Sequence, residues 1–186
     1  MPYKRILLLF CFFLLSTLLH SHPHLFIKPS VEVVITNSTI KGIKITWEWD
    51  KWWSEDVINE CDIDKNNAFD KKEIQLIYKN FFSGVKDFNY FTEIYVNKNK
   101  SRINTVLDFN ASINKDNIVA YSFIIPLEVK YETGIKIKIC FNDETIYTAF
   151  DKNLILVSNT DYTFNNLKIS EYSYYGVQVA FEICDK

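Results

Sequence analysis

Residues 25–49 read LFIKPSVEVVITNSTIKGIKITWEW, and their alternation decides the fold. Val31, Val33 and Ile35 fall on one side of the first half, with Glu32 on the other. Ile43, Ile45 and Trp47 alternate in the same way with Lys44, Thr46 and Glu48. A period of two is the signature of a half-buried strand, because successive side chains point to opposite faces. Between the runs lies Thr36-Asn37-Ser38-Thr39, a short polar turn. Two alternating runs around such a turn make a hairpin. Folding it about Asn37-Ser38 carries His24 towards Asp50 or Lys51, and a slip of one residue would reverse the faces.

Further runs downstream read as strands: 88–96, 105–113, 118–127, 134–141, 145–150 and 154–157. The turns between them include Asn97-Lys98-Asn99-Lys100, Asn114-Lys115-Asp116-Asn117 and Asn142-Asp143. Residues 159–166 read as a polar loop, and residues 167–183 as a Tyr-rich strand pair or one long strand. Short strands with polar turns predict an α+β chain dominated by an antiparallel sheet or sandwich. Of 186 residues, 48 % are apolar and 16 % aromatic, which is enough for a substantial core and excludes a disordered chain. The formal charge of −2, with no basic run, counts against nucleic acid as a partner.

Upstream of the hairpin, Lys4 and Arg5 precede an almost wholly apolar stretch from Ile6 to Leu19, about 14 residues long. A membrane span needs roughly 20, so residues 1–21 read as a cleaved secretory signal peptide. This predicts a periplasmic protein with a single mature domain over residues 22–186, touching membrane only through its leader or a partner. Loss of Lys4 and Arg5 gives 19 bases against 23 acids, a mature charge of −4. Cys61, Cys140 and Cys184 remain after cleavage. A Cys140–Cys184 disulfide is expected if any forms; the alternative is three small buried thiols.

Cleavage before His22 would leave His22-Pro23-His24 at the new N-terminus. The α-amine and imidazole of His22, with the ring of His24, form a nitrogen set suited to Ni²⁺, Co²⁺, Zn²⁺ or Cu²⁺. Asp50 is the candidate oxygen ligand beside them. The plainer reading is a polar start to a strand.

Downstream of the hairpin, all four tryptophans fall within residues 47–53. They read as a packed strand–helix junction, or alternatively as an interface anchor. Ser54 is the expected N-cap of the helix that follows. The next segment, Asp62-Ile63-Asp64-Lys65-Asn66-Asn67-Ala68-Phe69-Asp70-Lys71-Lys72-Glu73, spaces oxygen donors at its first, third, fifth, ninth and twelfth places. That is the pattern of an EF-hand-like calcium loop. Calcium takes six to eight oxygens at about 2.3–2.6 Å. Asp62, Asp64 and Asn66 would point inward, Ala68 would supply its carbonyl, Asp70 would act directly or through water, and Glu73 would close the shell. Asn67 stands at the sixth place, where Gly is usual, and Asn is the side chain that best tolerates the left-handed backbone needed there. A second helix is expected over residues 71–82, ending at Gly84. The helix–calcium-loop–helix unit thus occupies about residues 51–83. The alternative is an ion-free polar turn.

These features together resemble the bacterial family known as domain of unknown function 1007. The resemblance rests on His22-Pro23-His24 after the leader, Trp47-x-Trp49-Asp50, the Asp62–Glu73 loop, Phe88-x-Tyr90-Phe91 and Tyr147-x-Ala149-Phe150. It implies an exported protein of the periplasm that accompanies a membrane transporter of nickel, cobalt or zinc, with no established activity. No nucleophile elbow, phosphate-binding Gly loop or His-Glu-x-x-His helix occurs, so the sequence argues against an enzyme. A hydrolase using the loop acids and a periplasmic interaction module with a structural calcium clip are the rival readings.

Overall fold

The computed structural model describes residues 25–143, 145 and 148–186. Two sheets share one core. The first runs in the order β5-β6-β2-β1-β8, with β9 also pairing β1. Its strands are β1 (Leu25–Thr36), β2 (Thr39–Trp49), β5 (Leu107–Ile113), β6 (Val119–Lys130), β8 (Thr148–Phe150) and β9 (Ile155–Leu156). The second runs β10-β11-β7-β3-β4. It comprises β3 (Thr92–Val96), β4 (Asn99–Lys100), β7 (Ile135–Phe141), β10 (Tyr162–Tyr172) and β11 (Gly176–Asp185).

The hairpin expected from residues 25–49 forms. Asn37 and Ser38 both have positive φ (49° and 54°), the turn geometry that matches the twist of paired strands. Its register sets Val31 against Ile45 and Ile27 against Trp49. Across the first sheet, Ile45 then faces Phe123 on β6. In the second sheet Ile94, Ile139 and Val179 form the corresponding ladder. All eight of these residues are buried, so the alternation read in sequence is the alternation between core and surface. Phe141 and Phe150 stack across the two sheets at 5.7 Å.

The sheets are not wholly antiparallel. Leu25, Phe26 and Ile27 pair in parallel with Thr148, Ala149 and Phe150, and Ser30 and Val31 pair in parallel with Ile155 and Leu156. The first sheet is therefore mixed. Parallel neighbours need a long crossover, and the whole middle of the chain supplies it, which no local pattern records.

Between β2 and β3 the chain forms α1 (Lys51–Cys61) and α2 (Lys71–Ile77). A π turn over Tyr78–Phe82 and a 3-10 stretch over Ser83–Phe91 follow. The expected N-cap Ser54 lies inside α1; the cap is Asp50, whose side chain accepts from Trp53 N. Ser54 instead joins helix to sheet, its hydroxyl donating to Asp50 O (2.7 Å) and accepting from Val119 N (2.9 Å). The strand expected from residue 88 begins only at Thr92. Asn89, Tyr90 and Phe91 take positive φ there, with Tyr90 and Phe91 turned into the core. The polar loop expected over residues 159–166 is shorter, because β10 begins at Tyr162.

Trp47 and Trp49 are buried, and Trp53 packs on Trp49 at 5.1 Å. Trp52 is 81 % exposed. Three tryptophans are thus junction packing and the fourth is not.

Among the described residues the three cysteines, Cys61, Cys140 and Cys184, are free. Cys140 faces Gln178 on β11, and Cys184 lies six residues farther along that strand, roughly 20 Å at the rise of an extended chain. A disulfide needs Cα atoms within about 7 Å, so the expected Cys140–Cys184 bond does not form.

Candidate metal centre

The loop between α1 and α2 is held by its own acids. Asp62 Oδ1 accepts from Asn66 N (3.1 Å) and its Oδ2 from Asn67 N (3.0 Å). Asp64 Oδ1 accepts from Asn66 N (3.1 Å). Glu73 reaches back across the loop: Oε1 accepts from Ile63 N (2.7 Å) and Oε2 from Asp70 N (2.8 Å). Backbone amides aimed at alternate carboxylates wind the chain so that these acids converge. Asn67 has φ of 62°, the left-handed conformation that the sixth place of the pattern requires, and Lys65 shares it with φ of 56°. The Asn67 side chain also donates to Asn117 Oδ1 (3.0 Å), tying the loop to the β5–β6 turn.

Carboxylate oxygens of Asp62, Asp64 and Glu73 all lie within 4.8 Å of one another. Two ligands that each sit about 2.3–2.6 Å from one calcium are separated by at most about 5 Å, so this trio fits a shared ion. Asp62 and Glu73 are only 7 % and 4 % exposed. Like charges at such range repel strongly where water is scarce, and a hard cation relieves that repulsion. Just before the loop, the buried Cys61 thiol is pushed up to about 11 by burial, then by Glu60 and Glu73.

The other expected ligands stand differently. Asn66 Nδ2 donates to Asp64 Oδ2 (2.8 Å) and Asn66 Oδ1 accepts from Ala68 N (2.8 Å), so both residues border the cluster. Asp70 caps α2, its Oδ1 accepting from Lys72 N (2.7 Å) and Glu73 N (2.9 Å). With Glu73 it forms a reciprocal capping box. Asp70 lies outside the carboxylate trio, consistent with a place that ligates through water.

His22 and His24 fall outside the described residues. Asp50, the cap of α1, sits against the start of β1: its Oδ2 accepts from Phe26 N (2.8 Å) and its Oδ1 from Trp53 N (3.0 Å). Its two oxygens hold strand and helix together two residues from His24.

A polar cluster that sequence reading missed lies on the outer face of the second sheet. Glu93 accepts from Tyr95 Oη (2.7 Å), from Tyr172 Oη (3.0 Å) and from Lys100 Nζ. Burial pushes the Glu93 carboxyl up, but these three donors outweigh it and leave it below the ordinary range. Period two sets Glu93 and Tyr95 on one face, but only the strand register brings Lys100 and Tyr172 to them.

A sequence profile described as "Protein of unknown function (DUF1007)" matches residues 7–161. An uncharacterised 15.5 kDa protein encoded in the trpE 3′ region of Spirochaeta aurantia is 29 % identical over 99 residues. That alignment covers 52 % of this chain and 70 % of the relative.

Proposed function

The chain belongs to the DUF1007 family, whose function is not known, and from that premise we propose that it is an exported, non-enzymatic protein that handles metal for a membrane transporter. In this reading a calcium ion sits in the Asp62–Glu73 loop as a structural clip. Asp62, Asp64 and Glu73 supply charged oxygens, Asn66 and the Ala68 carbonyl complete the near side, and Asp70 contributes through water. A transition ion (Ni²⁺, Co²⁺, Zn²⁺ or Cu²⁺) is held by His22 and His24, with Asp50 beside them. The observation that carries the reading is the approach of three carboxylates, two of them buried, to within 4.8 Å. Bound there, calcium would supply charge neutralisation, while the chain's own backbone amides orient Asp62 and Glu73.

Elemental analysis of protein recovered from the exported fraction tests both ions at once. About one calcium per chain is expected, with one transition metal that disappears when His22→Ala and His24→Ala are combined. Calorimetry showing equal transition-metal binding by the double variant would reject the histidine site.

The second reading, a periplasmic interaction module with a calcium clip, draws on Trp52, which is left 81 % exposed at the start of α1. A large aromatic in water is a typical interface anchor. This reading expects no transition-metal uptake and a crosslinked partner at position 52.

A further inference from the structure

At the end of the sandwich where β1 begins, the chain forms a cleft of about 670 Å³, of whose lining the metal reading uses only Asp50. One wall is Phe26 with the Lys28–Glu48 pair; the other is Tyr174 and Tyr175 at the β10–β11 turn; Asp50, Asp151 and the Lys152–Glu171 pair lie on its lining. Two features set its chemistry.

The first is aromatic. Phe26 is 53 % and Tyr174 83 % exposed, so two large rings face water around one concavity. Tyr174 meets Tyr175 edge to face at 4.8 Å. The wall that carries them is fixed: Phe150 N donates to Tyr175 O (2.8 Å). At the neighbouring Gly176 a Cβ would collide with the carbonyls of Tyr172 and Phe141, so the turn is seated against the sheet.

The second is charge. Four carboxylates (Glu48, Asp50, Asp151, Glu171) face two lysines (Lys28, Lys152), giving 2 − 4 = −2. Each lysine is matched to a glutamate. The charges of Asp50 and Asp151 have no cationic side chain set against them among the described residues lining the cleft. Exposed rings and hydrogen-bonded carboxylates with no lysine set against them together favour a cation clothed in apolar groups. An inorganic ion would leave the rings unused, and a neutral apolar molecule would leave the charge unused.

We propose that this cleft, lined by Phe26, Tyr174, Tyr175, Asp50 and Asp151, is a binding site for a small organic cation of the alkylated-ammonium class. The site does not depend on an ion in the Asp62–Glu73 loop; it shares Asp50 with the proposed histidine site, so the titrations are run without transition metal. Choline is the probe, titrated by calorimetry in calcium buffer against its uncharged carbon isostere, dimethylbutanol. Saturable binding of choline is expected, about tenfold tighter than the isostere. Tyr174→Ala should weaken choline binding about fivefold or more, while Tyr174→Phe retains it. Lys152→Gln leaves Glu171 unpaired and should tighten it. Tyr174 and Lys152 are exposed, so unchanged melting curves will show that these variants fold. The His22→Ala, His24→Ala variant should bind choline as the parent does, which separates this site from the transition-metal reading. Equal binding of choline and dimethylbutanol, absence of saturable binding, or loss of binding in the histidine variant would each overturn the proposal.

Discussion

Replacing Glu73 by Gln separates the two roles that this side chain holds. Its carboxylate accepts from Ile63 N at 2.7 Å and from Asp70 N at 2.8 Å, and it is 4 % exposed. The amide keeps one acceptor and turns an NH₂ towards the other amide. One nearly buried N–H is then unmatched, which costs about 1–3 kcal/mol whether or not an ion is present. The second role is ligation. A calcium present at about 100 times its dissociation constant stabilises the folded state by roughly 2.7 kcal/mol. In a chain of this size each kcal/mol moves Tm by about 2–4 °C. Wild-type protein in millimolar calcium should therefore melt about 5–10 °C higher than in chelator. Glu73→Gln should melt lower in chelator by about 2–12 °C and gain almost nothing from calcium. Circular dichroism melts of both proteins, with magnesium as a control, read all of this. If wild-type Tm is the same with calcium and with chelator, the acids serve only as amide acceptors. An undiminished calcium response in the variant would remove Glu73 from the ligand set.

Asp50→Ala removes the α1 cap and the bond to Phe26 N together, and urea unfolding should show a loss of about 1–3 kcal/mol; a loss within error would mean neither bond contributes. The Cys61 thiol has a folded value of about 11 against an ordinary 9.0. Above pH 9.0 the unfolded chain releases that proton while the folded one keeps it, so this contribution to stability falls as pH rises from 9.0 towards 11. Cys61→Ala should flatten the alkaline limb of the stability profile. Alkylation under native conditions should label the part-exposed Cys184 first and the buried Cys61 and Cys140 slowly, and a disulfide mass shift between Cys140 and Cys184 would contradict the strand register. A stop after residue 161 keeps the whole segment matched by the family but deletes β11, whose Val177, Val179, Phe181 and Ile183 are buried. That fragment should fail to give a cooperative melt.

Much of this was legible in the chain because the signals were local. The Leu25–Trp49 hairpin declares itself by alternation, and Asn37 in its turn takes the left-handed backbone that its type favours. The Asp62–Glu73 loop shows its winding because each acid bonds an amide two to ten residues away. What escaped was set at long range. The parallel pairing of β1 depends on strands more than a hundred residues later. Asp50 was a better cap than Ser54 because β1 already held its other oxygen, a tertiary fact. Tyr174, Phe26 and Asp151 meet only when the last hairpin docks, so a Tyr-rich tail was all that the sequence offered.

The opening strand has an unusual timetable. Leu25 faces Thr148, a loop of 148 − 25 = 123 positions. A strand made early therefore waits for a neighbour made late, and the first sheet cannot close until nearly the whole polypeptide is available. Such distant pairing slows assembly. A chain whose first strand finds its last partners only at residues 148–156 is expected to fold in one cooperative step rather than hairpin by hairpin.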